Sequence, residues 1–534
     1  MKDVTIQNPT REPPPLRQKA VARQSFLFAT ADEWSVVVAV AAVVSLLCYP
    51  YYQKVSLWIG PGLCVYIGTL CHFGYAARNC IPVGHLTVLI CGLQMVLAPW
   101  WGYYHPMSTI DLDIGDNLPN YLAYAVPCFL ALTGAWGIAC VGLPVTERRY
   151  FAGLKGPQLV ALQQELDWFL FGGLGVGLLG GFVYSGSFVV ILLGNFRFVG
   201  AFGWMLIGGK GWRWRVACVL FVEAVTGAST ALLHGLVVWM ALFLCFYIYR
   251  FRPRPFRTVS WLFAGLLLLP AMEYGKLELR KSVWAGQAIH SRLLGDNFRV
   301  SSSLMWPVVL SAYIVDGAVE LLTGQMNEEF LGHLTDRYSQ GWIANRVMLH
   351  VPDHEPYAEG ETIVTAFIDA FLPRVLVPKA YVAGGREAMR RFADLELGEG
   401  VSMNLGYVGE MYANFGYYGG ILGVGVYGLV LGLLFRWVYR KAKEHPLWWA
   451  IVPYVSFTTI RAEDGIEDIV NWVAKATGVA FLIVVSVCPS IRASLLMKGV
   501  KPQKLLRDRF RATKRLDEGG GVVPGRAPGV FGSR

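Results

Sequence analysis

The chain reads as an all-α polytopic membrane bundle of about twelve spans with one large extracytoplasmic helical loop. Long apolar runs recur at the roughly 20-residue length that a bilayer-spanning helix requires. Mean hydropathy is +0.44, and 54% of residues are hydrophobic against 16% charged, where soluble domains carry roughly 25% charged residues. The third observation is a long polar segment, about 277–416, set between two groups of such runs. A basic net charge of +10 could serve nucleic acid, but here the cations flank apolar spans. They therefore read as topology signals and contacts to anionic lipid, with no nucleic-acid partner.

Taken in order, the leader 1–32 is polar, rich in Pro and Arg, and lacks the apolar core of a cleavable signal peptide. The first span is then expected to act as an uncleaved signal. Spans are expected at 33–52, 55–75, 81–100, 119–142, 167–184, 188–207, 215–231, 232–249 and 258–274, so that 33–276 forms the first membrane block. Gly227 and His234-Gly235 favour a tight hairpin over one long helix between 215 and 249. The run Gly172-Gly173-Leu174-Gly175-Val176-Gly177 suits close helix packing in a bilayer. The loop 277–416 shows apolar patterning at 304–322 and 386–397, which predicts amphipathic helices in a small helical cap. Spans at 417–437, 446–460 and 473–490 close the membrane body as block 417–490. The tail 491–534 is basic and turns Gly- and Pro-rich from Asp517, which predicts partial disorder.

Charge asymmetry supplies an orientation. With the N-terminus inside, the inner loops hold Arg78, Arg148, Arg149, Lys155, Lys210, Arg213, Arg215, Arg250, Arg252, Arg254, Arg257, Arg436, Arg440, Lys441 and Lys443, whereas the short outer loops hold Lys54, Arg461 and Lys475. That bias places both termini in the cytoplasm and the long loop outside. The cysteines all sit in or beside apolar runs, so the loop is expected to fold without disulfides, and no Cys/His spacing suggests a metal. Asp111, Asp113 and Asp116 read as a solvated face rather than a metal site.

The chemistry-bearing residues concentrate in the long loop. They are Asp336-Arg337 with Asn345-Arg346; Tyr357-Ala358-Glu359-Gly360-Glu361-Thr362 leading to Pro373-Arg374 and Pro378-Lys379; and Gly409-Glu410-Met411-Tyr412-Ala413-Asn414-Phe415-Gly416 at the entry to a span. Guanidinium forks grip phosphate oxygens in bidentate fashion, and a carboxylate can take a proton from a sugar hydroxyl. Tyr407, Tyr412, Phe415, Tyr417 and Tyr418 can line a sugar or lipid groove. Glu410 has a plainer reading as the N-terminal cap of the helix that follows. Arg346 and Arg374 have one as ion-pair partners of Glu361 and Asp369, and His354 one as a solvated loop histidine. Arg197 lies inside a predicted span, where an arginine costs roughly 2.5–3.5 kcal/mol on insertion scales. It must pair, face a polar cavity or snorkel to the inner surface.

The order Asn-Arg, Tyr-x-x-Gly-Glu-Thr, Pro-Arg-x-x-x-Pro-Lys, Gly-Glu-x-Tyr-x-Asn-Phe-Gly resembles the Wzy-type O-antigen and exopolysaccharide repeat-unit polymerases over about 336–428. Arg374 and Gly385 are also spaced as in that family's Arg-x10-Gly pattern. The chain departs from the pattern at Val377, where many relatives carry Trp, and at Ala380, where many carry a second Pro. The resemblance implies a multi-pass glycosyltransferase of the bacterial cytoplasmic membrane. It would join polyprenyl-diphosphate-linked oligosaccharide repeats, alongside membrane lipids and with flippase and chain-length or export proteins as partners. The alternatives are a polysaccharide ligase and a lipid-linked sugar flippase. On this reading Arg374, Arg346 and Lys379 stabilise the departing diphosphate. Glu410 is first choice and Glu361 second as base or acceptor orienter, while Arg337, Tyr357, Tyr412, Asn414 and Arg197 contact substrate. No cofactor is called for, because the donor is already activated by its lipid diphosphate.

Overall fold

The computed structural model describes residues 31–105, 114–141, 143, 157–183, 188–230, 234–284, 286–295, 298–302, 305–326, 328–372, 385–398, 401–444 and 447–487. The expectations for the leader, the tail, Asp111, Asp113, Arg374 and Lys379 lie outside the described residues. The described residues are mainly helical, with no strand among them. The helices are α1 Ala31–Tyr52, α2 Ile59–Ala76, α3 Val83–Gly92, α4 Ala98–Gly102, α5 Leu118–Cys140, α6 Pro157–Val183, α7 Phe188–Gly194, α8 Phe196–Ile207, α9 Trp212–Thr230, α10 His234–Phe251, α11 Pro255–Trp284, α12 Trp306–Thr323, α13 Glu328–Tyr338, α14 Gly341–His350, α15 Glu361–Phe371, α16 Arg386–Ala393, α17 Gly406–Glu444, α18 Leu447–Val455 and α19 Ile466–Val487. A π-helical turn, Leu93–Leu97, joins α3 to α4.

Each expected span overlaps helix in its described residues, although 446–460 is α-helical only over Leu447–Val455 and 55–58 lies outside α2. Among the described residues five helical stretches have the length and apolarity to cross a membrane: Val83–Gly102, Gly115–Cys140, Phe188–Ile207, Trp306–Thr323 and Gly406–Ala442. The fourth, α12, is the surprise, because it lies in the segment that the charge pattern assigns to an outer loop. It packs along α11, where Gly275 and Gly317 permit close approach. A Cβ on Gly275 would stand 3.0 Å from the Ile314 backbone nitrogen, and one on Gly317 would stand 2.8 Å from Tyr274 Cβ. The opposite face shows Val308, Val315 and Leu322 to the surroundings. An apolar helix with one covered and one bare apolar face suits hydrocarbon better than water.

α15 is inside-out in the same way. Its outward stripe Val364, Phe367, Ile368 and Phe371 follows i, i+3, i+4, i+7 spacing and is exposed, while Asp369 is buried on a helix that packs against α19. In water the pattern would be reversed.

Two large buried clusters form the core. One joins α6, α8, α10 and α18, with Phe198, Phe202, Trp239 and Trp449 buried. The other joins α5, α14 and α17 around Tyr121, Tyr124 and Tyr407. Among the glycines of 172–177, Gly173 and Gly177 meet the α7/α8 junction, since Cβ atoms there would stand 2.3 Å from Arg197 N and 2.7 Å from its Nη1 respectively. Arg197 itself pairs with Glu223 of α9 at 2.5 Å. This resolves its cost by pairing rather than by snorkelling.

α17 organises the second cluster. It breaks at Gly416 (φ 68°, ψ −161°), which separates a short buried half from a long half lying against α5. There Gly428 and Gly432 form a small-xxx-small seam. A Cβ on Gly428 would stand 2.6 Å from Leu132 O, and one on Gly432 2.5 Å from Ala139 Cβ, whereas Gly425 has ordinary 3.5 Å clearance from Ala131. Gly428→Val is therefore expected to push α17 off α5 and cost at least the ~1–3 kcal/mol typical of overpacking. Gly425→Ala should be neutral or slightly stabilising. Thermal melting of the two purified variants in detergent checks the contrast, and equal melting temperatures would refute the seam.

Candidate active site

Two of the motifs singled out in the sequence interlock at one end of the bundle. The chain at 358–360 runs beside the end of the short half of α17. Ala358 N–H donates to Ala413 O at 3.0 Å and Glu359 N–H to Asn414 O at 3.1 Å. Gly360, at φ 91°, turns the chain into α15, and its N–H donates to Asn414 Oδ1 at 3.0 Å. The Asn414 amide nitrogen donates to Thr362 Oγ1 and to Glu410 O, each at 2.8 Å. The Thr362 hydroxyl donates in turn to Glu410 Oε1 at 2.8 Å. The kink at Gly416 makes room for Tyr357, whose ring would stand 2.9 Å from a Cβ at that position. Tyr357 and Tyr412 meet edge to face at 6.4 Å.

Glu410 is 6% exposed and has a donor on each oxygen. The second is the backbone N–H of Ile466, 2.7 Å from Oε2. Ile466 opens α19, so Glu410 does sit at a helix N-terminus, where a carboxylate is favoured. That terminus belongs to α19, however, and not to the helix Glu410 precedes in sequence. Gly465 permits the approach, as a Cβ there would be 3.1 Å from Oε2.

Beside Glu410 lies a cleft of about 170 Å³, with carboxylates from Glu361, Glu387, Glu410, Glu467 and Asp468, and with Arg391 among its walls. Arg391 Nε donates to Glu355 Oε1 at 2.5 Å and its Nη1 to Glu361 Oε2 at 3.1 Å. The hydrogen bond to Glu355 is the main reason the guanidinium is pushed further up. Asn404 Nδ2 donates to Asp468 Oδ2 at 2.6 Å. Gly385 (φ 67°) precedes α16, and a Cβ there would stand 1.9 Å from Met403 O. This gives the glycine of the Arg-x10-Gly spacing a backbone reason.

The site thus gathers Glu361, Tyr357, Glu410, Tyr412 and Asn414. Arg337 is elsewhere, with Nε 3.9 Å from Glu273 of α11. Arg346 sits half-buried on α14, the helix whose Asn345 Oδ1 accepts from Asn117 Nδ2 at 2.5 Å. Arg197 is held by Glu223. His354 packs edge to face with His350 at 5.3 Å. Among the described residues no group of three or more His, Cys, Asp or Glu is arranged to hold a metal, and every described cysteine is free.

Glu387, Arg391, Asn404, Glu467 and Asp468 line the cleft and escaped the sequence reading, as did the pairing of Arg461 with Asp464 just ahead of α19. The signal available was the acidic run Glu463-Asp464-Gly465-Ile466-Glu467-Asp468 just before a span. No family, curated protein or solved structure matches this chain.

Burial pushes the Asp464 carboxyl up to about 7, with Glu463 and Asp468 adding to the shift and Arg461 opposing it. The unfolded chain releases this proton near pH 4 and the folded chain only near 7. Stability is therefore expected to fall as pH rises through that window and to level off above it. At about 1.36 kcal/mol per unit the effect is on the order of a few kcal/mol. Asp464→Asn should flatten that part of a melting-temperature curve taken between pH 4.5 and 8, and an unchanged slope would exclude Asp464 as its source.

Proposed function

We propose that this chain is a polytopic membrane glycosyltransferase that polymerises polyprenyl-diphosphate-linked oligosaccharide repeats at the outer face of the bacterial cytoplasmic membrane. A single observation carries the reading. The Tyr-x-x-Gly-Glu-Thr and Gly-Glu-x-Tyr-x-Asn-Phe-Gly segments, which carry the resemblance to repeat-unit polymerases, interlock through Asn414, Thr362 and Glu410 beside a cleft rich in carboxylates. Carboxylates accept hydrogen bonds from sugar hydroxyls well. The cleft therefore suits the acceptor sugar, while cations of the same polar segment suit the donor's diphosphate. Glu361 is the more accessible carboxylate, with 59% of its side chain exposed, which suits it to take the hydroxyl proton. Glu410, already engaged by Thr362 and Ile466, suits orienting the acceptor and holding α19 against α17. Arg374, Arg346 and Lys379 are assigned to the leaving diphosphate.

Gln at position 410 can keep both contacts: its carbonyl accepts from Ile466 N–H, and its amide donates to Thr362 once that hydroxyl turns. Glu361→Gln, which removes the assigned base, is expected to lose polymer formation by about 10²–10⁴, while Glu410→Gln is expected to melt close to wild type and to make less polymer. Glu410→Ala should lose stability as well. The measurement is lipid-linked sugar in a deletion strain complemented with each variant. Accumulated single repeats support a polymerase, long unattached chains point to a ligase, and normal polymer from Glu410→Gln removes the carboxylate from the chemistry.

The proposed topology has about twelve spans, both termini cytoplasmic and 277–416 outside. α12 provides its test, because a full crossing there would put 301 and 396 on opposite faces. Cysteines introduced at Ser301 and Glu396, in a background cleared of reactive native cysteines, are both expected to label with an impermeant thiol reagent in intact cells. Labelling of one alone would mean that α12 crosses.

A further inference from the structure

α15 and α19 start from one point. The two oxygens of Glu410 accept from Thr362, in the first turn of α15, at 2.8 Å and from Ile466, the first residue of α19, at 2.7 Å. The two helices pack against each other, and Ile363 and Ala366 share an apolar cluster with Ile469, Val470 and Val473. They therefore run in the same direction. At roughly 1.5 Å per residue, the chain from Thr362 to Phe371 advances about 14 Å along α19, to the level of Lys475. That level is the first turn of the proposed span 473–490.

The two faces of α15 differ in kind. Glu361, Thr362 and Thr365 line the carboxylate cleft, and Asp369 is buried. The other face shows Val364, Phe367, Ile368 and Phe371, all exposed, with the rings of Phe367 and Phe371 nearly parallel at 6.3 Å. This bare surface continues onto α17. Phe415 stands at the turn into α15, 3.6 Å from where a Cβ on Gly360 would lie, and it is exposed together with Tyr418 and Leu422. These residues belong to Gly406–Ala442, a stretch long and apolar enough to cross a membrane. A contiguous apolar surface marks a protein or a membrane contact. Here the neighbouring span favours the membrane. So do Arg374 and Lys379, which follow α15 in sequence and complement anionic headgroups.

We propose that α15 inserts into the outer leaflet of an anionic bilayer, with Phe367, Ile368 and Phe371 at the boundary between headgroups and hydrocarbon, and so holds the carboxylate cleft just above the headgroups. One helix then serves as cleft wall and as membrane anchor. A substrate carried on a lipid tail reaches the cleft by lateral diffusion, without leaving the membrane. The inference rests on the proposed span in α19 and on no assigned chemistry in the cleft.

The test is site-directed spin labelling of the full-length protein in nanodiscs containing phosphatidylglycerol, in a background cleared of reactive native cysteines. Single cysteines at Phe367 and Phe371 carry the label. Phe481, exposed on α19, is the lipid reference, and Glu396, also exposed, is the water reference. Collisions with dissolved oxygen report hydrocarbon, and collisions with a water-soluble nickel chelate report water. The oxygen-to-nickel ratio at 367 and 371 is expected to exceed that at 396 at least fivefold. A ratio at both sites equal to that at 396 overturns the insertion. Exclusion of both reagents also overturns it, because a second copy or another protein would then cover the stripe. Should one cysteine lower the melting temperature, the other decides. Lipid at 481 with water at 367 and 371 strikes the insertion alone, whereas water at 481 removes the span and the depth inferred from it.

Discussion

A carboxylate buried at the mouth of an apolar bundle must find its donors in the protein, and Glu410 finds them on two elements far from it in sequence. Thr362 supplies one at 2.8 Å and the first turn of α19 the other at 2.7 Å. Leaving either donor group unmatched in such a place costs roughly 1–3 kcal/mol. The carboxylate therefore ties α15, α17 and α19 into one unit. Asn414 doubles the tie by using both ends of its amide, accepting from Gly360 and donating to Thr362 and Glu410. The cleft exists because these three helices are held at this spacing.

The kink at Gly416 lets one helix serve two solvents. Before it, Tyr407, Glu410 and Asn414 are buried and supply the polar network. After it, Tyr418, Leu422 and Val426 are exposed on the outer face while Gly428 and Gly432 seat the inner face on α5. A straight helix would carry the motif along the lipid-facing direction. α15 makes the same compromise within three turns, apolar outward and Asp369 inward. Its position beside the cleft brings the polar site next to an apolar surface.

Charge is divided in a way that the linear order conceals. Carboxylates crowd the cleft with Arg391, whereas Lys276 and Arg337 approach Glu273 on another pair of helices. Grouping Arg337 with Glu410 in one site follows naturally from their common polar segment, but Arg337 faces Glu273 of α11 whereas Glu410 is held by Thr362 and Ile466. Arg197, the most costly residue by position, is paired with Glu223 at the α7/α8 break. Arg215 is clamped by Asp167 at 2.8 and 2.9 Å and stacked 3.8 Å over Trp204. Both cations thus have protein partners of their own.

By itself the sequence marked the long apolar helices and the one at 304–322, because the length and apolarity of a run are local properties; the short helices 328–338, 341–350 and 361–371 carried no such signal. It also marked the polar segment, the glycines of close approach at 173 and 177, and the two motifs that carry the site. Tertiary structure alone decided the partners. Nothing local to Glu410 points to Ile466, nothing near Glu361 points to Arg391, and nothing in 304–322 says whether its bare apolar face meets lipid. Hydropathy is read one residue at a time, but hydrogen bonds and ion pairs are chosen between helices. That choice depends on which backbones their glycines allow to meet.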